Sequence, residues 1–115
     1  MRPVYFVGAG PGDPELLTIK GARLLGEADL VVYAGSLVNP RLLDYVRGGA
    51  EVRDSASMTG EDVIGLMAAA WRAGRRVVRL LSGDPSLYGA VQEQLDALTS
   101  LGVPCALVPG VSSFL

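Results

Sequence analysis

Val4-Tyr5-Phe6-Val7 runs directly into Gly8-Ala9-Gly10-Pro11-Gly12-Asp13-Pro14, and this junction decides the fold. Four apolar residues in a row outline a buried strand, and glycines followed by Asp-Pro open a helix. A glycine-rich turn between strand and helix is where α/β proteins lay bare main chain against a ligand. The usual ligand there is a dinucleotide, and the details oppose it. Position 13 is Asp where the G-x-G-x-x-G pattern requires Gly or Ala, and Pro11 has no N–H to offer a phosphate. Asp13 and Glu15 would also place negative charge where a pyrophosphate rests. The turn suits a small ligand that is not a polyanion.

Working outward, apolar runs predict five strands: Val4–Val7, Leu30–Tyr33, a weak Glu51–Arg53, Val77–Leu81 and Ala106–Val108. Helical stretches lie between them. Pro14–Gly26 carries Leu16, Leu17, Leu24 and Leu25, and Pro40–Arg47 follows Asn39 and closes at Gly48. The third starts at Thr59-x-x-Asp62, a capping-box entry, and stops at Gly74. The fourth runs from Pro85 to Leu101, with Leu87, Ala90, Val91, Leu95, Leu98 and Leu101 on one face. Strict alternation of strand and helix predicts an α/β fold: a parallel, doubly wound sheet with helices on both faces.

Three loops follow strands at their carboxyl ends: Gly8–Pro14, Ser82–Gly89 and Pro109–Ser113. Ligands of open α/β sheets bind outside those ends, where the strand order reverses. If the three loops share one site, strands four, one and five must be neighbours.

Composition narrows the functional classes. The chain has 115 residues, 50% of them hydrophobic and 19% charged, which suits one folded domain with a real core. A net charge of −2 gives no basic field for nucleic acid or an anionic membrane. Nine of the ten basic residues are arginine, a choice that suits carboxylate-bearing ligands and equally reflects a GC-rich genome. Cys105 is alone, so no internal disulfide forms, and a cytoplasmic setting is expected. No run approaches the roughly 18 apolar residues of a membrane span. There is no histidine, and no metal site is expected.

Gly-Asp-Pro occurs at 12–14 and again at 83–85, each time opening a helix. Asp at the cap and Pro at the first helical position make a helix-starting device that needs no ligand. Asp84 also follows Ser82-Gly83, which adds hydrogen-bonding capacity and room for close approach in the expected crevice. Tyr88 either closes over a ligand or packs on the sheet. Ser112 and Ser113, after Pro109-Gly110, are placed to cap a further helix.

Five stretches together carry a resemblance. They are Gly8-Ala-Gly-Pro-Gly-Asp-Pro-Glu-Leu-Leu-Thr-Ile-Lys-Gly21, Tyr33-Ala-Gly-Ser-Leu-Val-Asn-Pro40, Asp54-Ser-Ala-Ser-Met-Thr59, Ser82-Gly-Asp-Pro-Ser-Leu-Tyr-Gly89 and Pro109-Gly-Val-Ser-Ser-Phe114. The chain resembles the tetrapyrrole methylases, in the branch acting on precorrin-4 or cobalt-precorrin-4 at C11, over essentially its whole length. The resemblance implies S-adenosylmethionine as methyl donor, a tetrapyrrole substrate, a cytoplasmic homodimer at full length and the sheet order 3-2-4-1-5. It also implies that these residues are the N-terminal domain, 1–115, of a protein about twice as long, with a second α/β domain following. Pro11, Ser82, Gly83, Asp84, Leu87, Ser112 and Ser113 match its cofactor-contacting motifs. With Gly10 and Gly12 of the turn and with Tyr88, they form the expected cofactor-binding set. No catalytic acid or base is expected. Leu81 stands where the family pattern has a histidine, which removes a polar contact.

S-adenosylmethionine carries a cationic sulfonium and no phosphate, so an acidic glycine-rich turn tolerates it. Other tetrapyrrole methylases, acting at another ring position, are the alternative within the family. A nicotinamide-dependent oxidoreductase would need an acidic ribose-binding residue at the end of strand two, where Tyr33-Ala34-Gly35 stands. A non-catalytic fragment that binds little is the third reading. A domain of a larger protein should expose what its neighbour covers, here Leu37, Val38, Val111, Phe114 and Leu115.

Overall fold

The structure, a computed structural model, describes residues 2–8, 17–35, 40–81 and 88–109. Among these residues five parallel strands form one sheet: β1 (Val4–Gly8), β2 (Leu30–Tyr33), β3 (Glu51–Asp54), β4 (Val77–Leu81) and β5 (Cys105–Val108). Their order is β3-β2-β4-β1-β5, the order the sequence led us to expect. Among the described residues three α-helices connect them, α1 (Ile19–Glu27), α2 (Gly60–Arg72) and α3 (Tyr88–Ser100), with 3-10 turns at Pro40–Tyr45 and Ser55–Ser57.

The strands read as unbroken apolar runs because both faces of the sheet are covered. On one face Val4, Phe6, Leu30, Val32 and Val77 meet Val63 and Met67 of α2 and Leu98 of α3. On the other, Val7, Val31, Val78, Leu80 and Val108 meet Leu24 and Leu25 of α1 and Leu42 of the 3-10 turn. β3 gave only a weak apolar signal because it is an edge strand whose residues are mostly exposed.

Local chemistry sets the helix ends. Thr59 and Asp62 form the expected capping box: the Asp62 amide donates to Thr59 Oγ1 at 3.0 Å and the Thr59 amide to Asp62 Oδ2 at 3.3 Å. α2 ends before Gly74, whose φ of +81° admits glycine at little cost. The first helix departs from the expected Pro14–Gly26. It begins at Ile19, because Thr18 is extended and its Oγ1 accepts the Gly21 amide at 3.0 Å, which caps the helix there. Pro40–Arg47 forms a short 3-10 turn, Pro40–Tyr45, and not an α-helix.

Candidate functional site at the carboxyl edge

The three expected loops leave adjacent strands. Gly8, the last residue of β1, pairs in register with Leu81, the last of β4. Val7 pairs with Val108, the last of β5. Neighbouring strands lie about 5 Å apart, so the loops start side by side. The helices after β1 and β4 then part company: α1 packs on one face and α3 on the other. The boundary between β1 and β4 is therefore the topological switch point, where open α/β sheets receive ligands.

Of the expected cofactor-binding residues, Gly10, Pro11, Gly12, Ser82, Gly83, Asp84, Leu87, Ser112 and Ser113 lie outside the described residues. So do Leu37, Val38, Val111, Phe114 and Leu115. Tyr88 is the first residue of α3. What the structure supplies is the frame that launches these segments.

That frame includes residues the sequence reading passed over. Gly21 sits so close to the sheet that a Cβ there would meet Val7 Cγ1 and Leu17 Cδ1 at 3.0 Å. It brings the start of α1 down onto the carboxyl end of β1. Gly35, just beyond β2, has a φ of +47°, and a Cβ there would lie 2.9 Å from Ala56 Cβ. Asp54 Oδ1 accepts the Ala56 amide at 2.8 Å and shapes the turn after β3. Ser55 Oγ donates to the Tyr33 carbonyl at 3.0 Å. Tyr33 and Gly35 of one motif thus adjoin Asp54, Ser55 and Ala56 of another, at the ends of β2 and β3.

Arg79 of β4 is buried, 5% exposed, on the face covered by α2 and α3. Its Nε donates to Gln94 Oε1 at 3.2 Å and its Nη1 to Ser55 Oγ at 3.0 Å. Desolvation by burial pulls its pKa down to about 10. A single arginine inside the apolar run Val77–Leu81 was the signal that could have drawn attention to it.

A groove of about 470 Å³ lies between α2 and α3, lined by Gly60, Ile64, Gly65, Gln94, Ala97 and Leu101 among others. It belongs to a helix-covered face and not to the strand ends that launch the loops. Among the described residues no helix is long and apolar enough to cross a membrane.

Comparison with known proteins adds to this geometry. The sequence model of the tetrapyrrole (corrin/porphyrin) methylases matches residues 3–115. The cobalt-precorrin-4 C(11)-methyltransferase of Methanocaldococcus jannaschii is 54% identical over 112 residues, covering 97% of this chain and 43% of that protein. The precorrin-4 C(11)-methyltransferase of Pseudomonas aeruginosa is 49% identical over 110 residues, 96% of this chain and 44% of that protein. The X-ray structure of a cobalt-precorrin-4 methyltransferase superposes with a TM-score of 0.88 at 48% identity, covering 96% of this chain and 46% of that one. A uroporphyrin-III C-methyltransferase from Thermus thermophilus, complexed with S-adenosylhomocysteine, superposes with a TM-score of 0.79 at 44% identity, over 97% of this chain and 46% of that one. The chain spans under half the length of the curated relatives named here.

Proposed function

This chain belongs to the tetrapyrrole methylase family, and we propose that it is the cofactor-binding half of an enzyme methylating C11 of precorrin-4 or cobalt-precorrin-4. The methyl donor is S-adenosylmethionine. The observation that carries the reading is the switch point between β1 and β4, where Gly8 and Leu81 pair and two Gly-Asp-Pro segments begin. Its fit to the donor is chemical: bare main chain for close approach, and acidic residues that disfavour pyrophosphate and tolerate a sulfonium. The relatives named for precorrin-4 C11 methylation, 49–54% identical, favour that ring position over others.

In this reading Gly10, Pro11, Gly12, Ser82, Gly83, Asp84, Leu87, Tyr88, Ser112 and Ser113 hold the cofactor. A second α/β domain supplies the other wall of the cleft, and the full-length protein is a cytoplasmic homodimer with a tetrapyrrole substrate. When bound, S-adenosylmethionine supplies an electrophilic methyl group. The task left to the chain is to align it with an electron-rich ring carbon, so orientation supplies most of the catalysis.

Calorimetric titration with S-adenosylhomocysteine tests the site in the protein at its natural length. Asp84→Ala should weaken binding about tenfold or more. If Asp84 is only a helix cap, the change costs about 1 kcal/mol of stability and leaves affinity intact. Asp13→Ala is the matched control, in the same Gly-Asp-Pro setting. Equal stability losses with unchanged affinity in both would remove Asp84 from the site. Binding of NAD in place of S-adenosylhomocysteine would refute the whole reading.

A further inference from the structure

Arg79 is a costly residue for its position. Burying a guanidinium forfeits hydration that neutral partners only partly replace, and an apolar side chain of similar volume would fill the same space. Its partners among the described residues are neutral: the Gln94 carboxamide oxygen and the Ser55 hydroxyl. Among the described residues Arg79 makes no ion pair.

The placement of those partners is informative. Arg79 lies two residues before the end of β4 at Leu81, and Gln94 lies six residues into α3 from Tyr88. Their bond therefore joins the two stems of segment 82–87. Ser55 extends the same network, since its hydroxyl accepts from Arg79 and donates to the carbonyl of Tyr33, the last residue of β2. One planar guanidinium, with donors in fixed directions, thus ties together β2, the turn after β3, β4 and α3. Apolar packing already holds α3 through Leu98, with Val91 and Leu95 against the same core. The polar bond adds direction to what packing holds only by contact.

We propose that Arg79 is a positioning residue: through Gln94 and Ser55 it fixes the stems of segment 82–87 against the ends of β2 and β3, and so sets the shape of the S-adenosylmethionine site. This rests on the reading that segment 82–87 holds that cofactor. Arg79 itself does not touch it.

The test is titration of the natural-length protein and its variants with S-adenosylhomocysteine, beside thermal unfolding and amide exchange over residues 80–92. Arg79→Met should remain folded, bind about tenfold more weakly and exchange faster over 80–92 than over α2. Gln94→Leu should do the same, and the double variant should lose little more than either single change. Gln94→Glu keeps the acceptor at the guanidinium and should bind within about threefold of the parent protein. Should Arg79→Met fail to fold, Gln94→Leu and Ser55→Ala carry the test, each expected to weaken binding and speed exchange over 80–92. Unchanged affinity in the folded Arg79 or Gln94 variants, or losses that simply add, would overturn the positioning role while leaving the proposed function standing. A parent protein that does not bind S-adenosylhomocysteine would instead overturn the proposed function, and this inference with it.

Discussion

At the amino-terminal edge of the sheet, charges meet charges in water. Asp29 accepts the Arg76 amide at 2.7 Å and pairs with Arg47, Arg75 reaches Glu51 at 3.0 Å, Glu51 also takes Arg53, and Arg2 pairs with Glu27. At the carboxyl-terminal edge the pattern inverts. Glycines let backbone and side chains approach closely at Gly21 and Gly35. The buried cation Arg79, midway along β4, reaches Ser55 there, its acceptors among the described residues being neutral. Exposed ion pairs weigh little individually and tolerate exchange. Close contacts and buried polar bonds do not, because a displaced group there has no water to turn to. The amino edge is therefore built to be stable under substitution, and the carboxyl edge to hold a shape.

The largest expected effect falls where the two edges share a core. Phe6 is fully buried, midway along β1, and pairs in register with Arg79 and Leu107. Phe6→Ala should cost about 3–5 kcal/mol, measured by urea unfolding. Trp71, whose indole N–H donates to the Arg2 carbonyl at 2.7 Å, reports the amino edge by fluorescence. Its transition should coincide with that of far-UV circular dichroism, as one cooperative unit requires. Separate transitions would mean that the edges are independent bodies, and the comparison would fail at its base.

Gly35→Ala comes next. The new Cβ would lie 2.9 Å from Ala56 Cβ, on backbone at a φ of +47°. A loss of about 1–3 kcal/mol is expected. The strain sits at the carboxyl edge, so S-adenosylhomocysteine affinity should fall as well, while Trp71 fluorescence of the folded protein stays unchanged. A loss of stability with intact affinity would detach this corner from the site.

How much of this was legible in the sequence follows from the range of each interaction. The strands and the doubly wound class were readable because two covered faces leave an unbroken apolar run, as in Val77–Leu81. The adjacency of strands four, one and five followed from letting their loops share one site, and the registers of Gly8 with Leu81 and of Val7 with Val108 bear it out. The start of α1 was misplaced because Gly12-Asp13-Pro14 also reads as a helix opening, whereas the structure caps the helix at Thr18. The bonds of Arg79 were invisible because Gln94 and Ser55 stand 15 and 24 residues away. No periodicity records a contact of that length. The same holds for Gly35, whose need for glycine comes from Ala56 across a strand pair.

The smallest effect tests the amino edge through acid. Asp29 is held below the usual carboxylate range chiefly by the Arg76 amide, then by Arg47, and Glu51 by the guanidinium groups of Arg53 and Arg75. Both groups bind protons less readily folded than unfolded. Their contribution is therefore fully present above the unfolded pKa, near 4, and is lost as pH falls through the folded values. Asp29→Asn should lower stability at neutral pH by about 1 kcal/mol, since the amide oxygen still accepts from Arg76 but the charge is gone. Glu51→Gln should lower it less, because both of its arginines remain well solvated. In each variant the drop in melting temperature between pH 5 and pH 3 should be shallower than in the parent chain. Added salt should shrink the difference, as screening of exposed pairs requires. S-adenosylhomocysteine affinity at neutral pH should not move in either variant. Had it moved, charge at the amino edge would be reaching a site on the far side of the sheet, and the separation of the two edges would be lost.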